Sequence, residues 1–140
     1  MATMSLSAQP ELKRAQGVID DKHLELMTLG DRSLEREVLE IFARQTVLMV
    51  RRMAAADPAR AAAAAHTLKG SARGVGAWRV ARAAERLEMA AADRAGDEAL
   101  NAAIADLAAA GREVRAAIEA RLGTTWDEGT ADVGRGELAG

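Results

Sequence analysis

The chain has 140 residues, a length that suits one domain with a modest core and needs no metal or cross-link to fold. It contains no cysteine, which excludes disulfides, thiolate chemistry and any Cys-ligated zinc or iron–sulfur site. A formal net charge of −2 gives no global pull toward nucleic acid or anionic membranes, and neither is expected as a partner. Ala, Leu, Glu and Arg dominate and aromatic residues make up 2%, usage that points to an all-α protein.

Residues 1–17 mix Ser, Gln, Pro and charge, and read as a flexible leader without the sustained apolar core of a secretory signal. No window approaches the run of about 18 apolar residues that a membrane-spanning helix needs, so the cytoplasm is the expected compartment. From Val18 the pattern tightens. Asp20 or Asp21 caps a short helix carrying Leu24, Met27 and Leu29. Gly30 and Asp31 punctuate, and Asp31 or Ser33 caps a long amphipathic helix over residues 32–55. Its apolar positions are Leu34, Val38, Ile41, Phe42, Leu48, Met49 and Met53, spaced mostly by three, four and seven.

Asp57-Pro58 is a start signal, a capping acid followed by proline at the first helical position, and predicts a helix from Pro58 to Gly74. The Gly74–Gly76 region breaks it. A fourth long segment, Ala77 to Ala95, carries Trp78, Val80, Ala81, Ala84, Leu87 and Ala91. Gly96-Asp97 then opens a last helix with Leu100, Ile104, Leu107, Val114, Ile118 and Leu122. Gly111 interrupts this helix at about 1 kcal/mol relative to alanine. Strand-like alternation and repeats of fixed period are absent. Short connections favour antiparallel neighbours. The expected fold is an antiparallel up-and-down four-helix bundle over residues 18–122 with a short additional N-terminal helix. Residues 123–140, rich in Gly, Thr and acids without periodicity, read as a disordered tail in which Trp126 alone is suited to dock.

The chemistry concentrates in AAHTLKGSARGVGA, Ala64 to Ala77. At roughly 100° per residue, Ala61, Ala65, Leu68, Ala72 and Val75 fall together as a core stripe. Ala62, His66, Lys69, Gly70 and Arg73 gather on the other side, since offsets of three, four and seven share a face. Histidine titrates near neutrality, so an exposed imidazole with small neighbours is a nucleophile that a partner's active site can reach. Lys69 and Arg73 place two cations beside it, able to neutralise a phosphoryl group. Gly70 removes the side chain that would obstruct a docking partner. A solvated helical face also carries a surface His with Lys and Arg neighbours, and Gly70 also suits close helix approach or fraying.

The run H-T-L-K-G-S-A-R-G-V-G-A, His66 to Ala77, resembles the signature of histidine-containing phosphotransfer (HPt) domains, His-x-Leu-Lys-Gly-Ser-small-x-x-apolar-Gly-small. An alanine-rich approach precedes it and R-V-A-R-A-A-E-R-L-E, Arg79 to Glu88, follows on the next helix. The resemblance spans residues 18–122, and its twelve-residue heart is the specific part. It implies that His66 is phosphorylated through Nε2, that Lys69 assists the phosphoryl group and that Gly70 leaves room for a receiver domain. Ser71 serves local packing or hydrogen bonding, and Arg73 falls at a variable position of the signature.

The resemblance implies a covalent carrier rather than an enzyme, with a sensor (hybrid) histidine kinase and response-regulator receiver domains as partners. The chain needs no cofactor of its own; Mg2+ belongs to the receiver. A monomer is expected. His23, among Asp21, Lys22 and Leu24, has no chemical company, and two distant histidines without other ligands give no metal site. The glycine pattern in GVGAW follows no strand and makes no phosphate loop. Two other readings stay open: a bundle that binds a kinase or receiver without being phosphorylated, and a dimeric phosphotransferase. The latter needs a second folded α/β domain, for which the tail after Gly123 is too short.

Overall fold

The computed structural model describes residues 18–123, which form five α-helices and no strand. The expected leader and almost all of the expected tail, with Trp126, lie outside the described residues. The helices are α1 (Asp21–Thr28), α2 (Arg32–Ala55), α3 (Pro58–Val75), α4 (Trp78–Ala92) and α5 (Asp97–Leu122).

Short acidic side chains set three of the starts. Asp20, Asp31 and Asp57 each accept a hydrogen bond from the backbone N–H three residues on, of His23, Leu34 and Arg60, satisfying amides that have no partner within the helix. Pro58 takes the first turn of α3, where its missing N–H is harmless. Left-handed residues close α1, α3 and α5 at Leu29, Gly76 and Gly123. The helix α4 ends at Ala92, earlier than the expected Ala95, because Asp93 caps it and Arg94 turns left-handed at φ 51°.

Packing joins α3 to both α2 and α4, and α5 to both α4 and α2, while α1 lies against α2 and α3. The shared core is built from Leu24, Leu39, Phe42, Leu68, Leu87 and Ile118, with alanines filling the close approaches. Two buried hydroxyls sit among them without penalty: Thr28 Oγ1 donates to the Leu24 carbonyl at 2.9 Å and Thr46 Oγ1 to the Phe42 carbonyl at 2.8 Å. At one end, Arg121 of α5 donates to Asp21 of α1 and Glu35 of α2, and Arg79 of α4 pairs with Glu113 of α5 at 2.9 Å.

The core face of α2 agrees with the one predicted at Phe42 and Met53, which are buried, and differs elsewhere. Leu39, Ala43 and Thr46 are fully buried, whereas Ile41 and Leu34 face solvent. The helix carries apolar residues around much of its circumference, and Ala43 and Thr46 join Leu39, Phe42 and Met53 in the contact. Met27 and Leu29, expected on the core side of α1, are exposed; Leu29 is the left-handed closing residue and has left the helical face.

Candidate functional site around His66

The stripe predicted for α3 is the buried one: Ala61, Ala65, Leu68, Ala72 and Val75 are each at most 5% exposed. Small side chains let α2 and α4 pack close to this helix, and the opposite side is left to solvent. His66 stands there with 71% of its side chain exposed. Gly70, one turn on, is exposed, and a Cβ added to it would meet nothing within 4 Å. Among the described residues, its lack of a side chain therefore answers no packing need.

His66 is oriented by a residue on the neighbouring helix. Its Nδ1 lies 2.9 Å from Glu88 Oε2, and the second oxygen of that carboxylate, Oε1, is held 2.7 Å from Lys69 Nζ. Glu88 thus bridges the imidazole and the ammonium. Burial pushes the Glu88 carboxyl up, but the hydrogen bonds from Lys69 and His66, with their charges, outweigh it and hold the group below the ordinary glutamate value. A carboxylate only accepts, so the neutral imidazole places its proton on Nδ1 and keeps the lone pair on Nε2.

The expected neighbours of His66 divide. Lys69 does not stand free in solvent. Its side chain is 15% exposed, lying in the seam between α3 and α4 with its charge on Glu88. Arg73 is exposed and donates to Glu85 Oε2 at 3.1 Å. Ala62 and Ser71 are half-buried. The His23 ring packs against Trp78 with centroids 5.0 Å apart.

Gly76 of the same motif has a purely structural duty. It closes α3 with φ 81°, and a Cβ there would lie 2.9 Å from Asp20 Cβ and 3.1 Å from the Asp20 carbonyl oxygen. The backbone of Asp20 rests on this turn, its N–H donating to the Gly76 carbonyl at 2.9 Å. Neither Glu88 nor Asp20 was assigned to the site from sequence. Glu88 lies inside the quoted run after the motif, but only the register of α4 on α3 across the Gly76 turn carries it back over 22 residues to His66.

A family model for the Hpt domain matches residues 32–124, from the first residue of α2 to just beyond the end of α5. The chain belongs to the Hpt family. Hpt proteins are phosphocarriers rather than kinases, and they work with two-component kinases and receiver domains. The crystal structure of a rice protein, provisionally described as a histidine-containing phosphotransfer protein, matches with a TM-score of 0.68 and 21% identity. The match covers 84% of this chain and 89% of the rice chain, and at that identity it speaks for the fold. No curated protein matches the sequence. The helix α1 precedes the region that the Hpt model spans, yet it packs on α2 and α3 as part of the same structure. Among the described residues no helix is long and apolar enough to cross a membrane, and no cluster of His, Asp and Glu is placed to hold a metal ion.

Proposed function

We propose that this Hpt protein relays a phosphoryl group between receiver-domain aspartates through a phosphohistidine at His66. The observation that carries the reading is the exposed imidazole fixed by Glu88 at Nδ1, which leaves Nε2 as the nucleophilic atom toward solvent. In the forward step Nε2 attacks the phosphorus of an aspartyl phosphate. The P–N bond forms as the P–O bond breaks, and the aspartate leaves as carboxylate. A second receiver reverses the step with its own aspartate. The receivers bring the Mg2+ and the acidic pocket.

Within this reading Lys69 supplies the positive charge next to the phosphoryl oxygens, swinging from Glu88 by rotation of its flexible stem. Gly70 and Ala62 form the smooth ground on which a receiver settles. Arg73, paired with Glu85, serves docking rather than the reacting centre. The scaffold is an up-and-down four-helix bundle of α2 to α5 with α1 as its extra helix, and the protein acts as a monomer in the cytoplasm.

The test is label transfer from a phosphorylated receiver. Wild type is expected to take up an acid-labile, base-stable phosphoryl group, and a His66→Gln variant none. Equal uptake by the two proteins contradicts the proposal. Receiver binding that survives in the variant, with no labelling of wild type, identifies a non-phosphorylated adaptor instead.

A further inference from the structure

Arg79, Arg82 and Arg86 follow one another along α4 at the three- and four-residue spacings that share a helical face. They wall a groove of about 370 Å³ between α4 and α5, whose other wall carries Asp106 and Glu113. Arg79 neutralises Glu113 at 2.9 Å. Arg82 and Arg86 are exposed and have no ion-pair partner among the described residues. Like charges one turn apart repel, and Asp106 offsets only one of them, so the groove keeps a positive excess.

The chain itself supplies an anionic segment within reach. Beyond α5, and outside the described residues, it carries Asp127, Glu128, Asp132 and Glu137 against Arg135 alone. We propose that this acidic segment folds back along α5 and lays Asp127, Glu128 and Asp132 against Arg82 and Arg86. The groove lies on the α5 side of α4, whereas Glu85 and Glu88 of the same helix reach across to α3. The seated segment therefore screens these arginines from other anions and leaves the His66 imidazole open. The inference is independent of how His66 is used.

The lengths agree. A helix rises about 1.5 Å per residue, so the Arg79–Glu113 pair lies about 15 Å back from Gly123 and Asp106 about 25 Å. A chain spans at most about 3.3–3.6 Å per residue, which carries Asp127 and Glu128 to about 13–18 Å from Gly123 and Asp132 to about 30 Å. These positions bracket the Arg82–Arg86 pair. Gly123, left-handed at φ 70°, takes the chain out of the helix where that return begins. Exposed ion pairs are individually weak and screened by salt, so a free acidic peptide holds poorly here. A tether makes docking intramolecular, at an effective concentration on the order of millimolar. A second hollow flanks α5 on its α2 side, between Arg51, Arg112 and Arg115. At about 40 Å³ it is too small to seat a segment, and Glu119 holds Arg115 at 3.8 Å.

The experiment uses the full chain, 15N-labelled. The sequence has no cysteine, so Thr130→Cys gives a single site for a nitroxide label and removes no charge. Thr130 reaches up to about 24 Å from Gly123, level with Arg82. In about 20 mM salt the label is expected to broaden the amides of Arg82, Ala83, Arg86 and Ala110, and in about 500 mM salt that broadening falls at least about threefold. Arg82→Gln/Arg86→Gln is expected to lose the broadening at low salt while its other resonances stay in place. Asp127→Asn/Glu128→Gln/Asp132→Asn, which alters no described residue, is expected to lose it too. Broadening confined to the last turns of α5, or centred on the α2 side of α5 or on α1, overturns the proposal. Broadening at the groove that survives high salt or either set of substitutions also overturns it, since these charges then do not make the contact.

Discussion

The Trp78 indole Nε1–H donates to Asp20 Oδ2 at 2.9 Å, tying the first turn of α4 to the residue that caps α1. The other oxygen of Asp20 accepts the His23 backbone N–H at 3.1 Å. The Trp78 hydrogen bond, then the one from His23, outweigh partial burial and hold the Asp20 carboxyl below 3.8. A carboxyl lowered on folding contributes stability that is fully present above its unfolded value and is lost as pH falls through the folded one. We therefore expect the α1 docking contact to persist at neutral pH and to weaken as pH drops below 3.8. In a Trp126→Phe background, Trp78 emission should shift to the red over that range, and an Asp20→Asn variant should lack the step.

Gly76 combines a left-handed backbone with a close neighbour. A side chain at φ 81° is disfavoured by roughly 1–2 kcal/mol, and the added Cβ would also press on the Asp20 backbone. Gly123 shares the left-handed conformation, at φ 70°, but among the described residues nothing lies within 4 Å of an added Cβ. Gly76→Ala should therefore destabilise the protein by about 2 kcal/mol or more, and Gly123→Ala by roughly 1 kcal/mol. Chemical denaturation of the two variants checks the difference, which isolates the Asp20 contact.

Gly111 sits mid-helix in α5, where alanine should be better by about 1 kcal/mol. A Cβ there would approach Thr46 Cγ2 to 2.9 Å. That methyl is buried and anchored, since Thr46 Oγ1 donates to the Phe42 carbonyl. Overpacking of this kind costs about 1–3 kcal/mol, so Gly111→Ala should be destabilising overall by about 1 kcal/mol. Thr46→Ser removes the methyl and keeps the hydroxyl. The Thr46→Ser/Gly111→Ala pair should be more stable than the sum of its single variants, which a double-mutant cycle by denaturation measures.

Gly70 makes the opposite prediction for stability. Among the described residues nothing lies within 4 Å of a Cβ at this position, so Gly70→Ala should stabilise α3 by about 0.5–1 kcal/mol. A longer side chain, as in Gly70→Gln, should leave the fold and loading by phosphoramidate intact. It should slow transfer from a receiver about tenfold, equivalent to about 1.4 kcal/mol of lost docking. Rates with the two donors, measured side by side, separate the docking role from a structural one.

Apart from the end of α4, the helix limits were legible because their signals are local. Asp20, Asp31 and Asp57-Pro58 each mark a start in the structure, and Gly76 and Gly123 mark ends. The buried stripe of α3 was legible for the same reason: it holds the one leucine of the helix, and His66, Lys69 and Arg73 mark the other side. The face of α2 was legible only at Phe42 and Met53, because Leu34 and Ile41 are as apolar as Leu39, and the packing of α3 and α5 on α2 decides between them. At the site, His66 and its exposed side could be placed from one helix alone. Glu88 could not, since its tie to His66 depends on how α4 lies on α3. The same packing explains why Lys69 rests on a carboxylate and why Arg73 meets Glu85, neither of which a single helix reveals.

The central claim is that His66 passes on what it receives. Wild-type protein carrying a labelled phosphoryl group on His66, freed of its donor, should be mixed with an unphosphorylated receiver and followed in time. We predict that label leaves the acid-labile histidine fraction and appears, in matching amount, as base-labile aspartyl phosphate on the receiver. Label that stays on the histidine, or is released only as inorganic phosphate with every receiver of the same cell, would contradict the account.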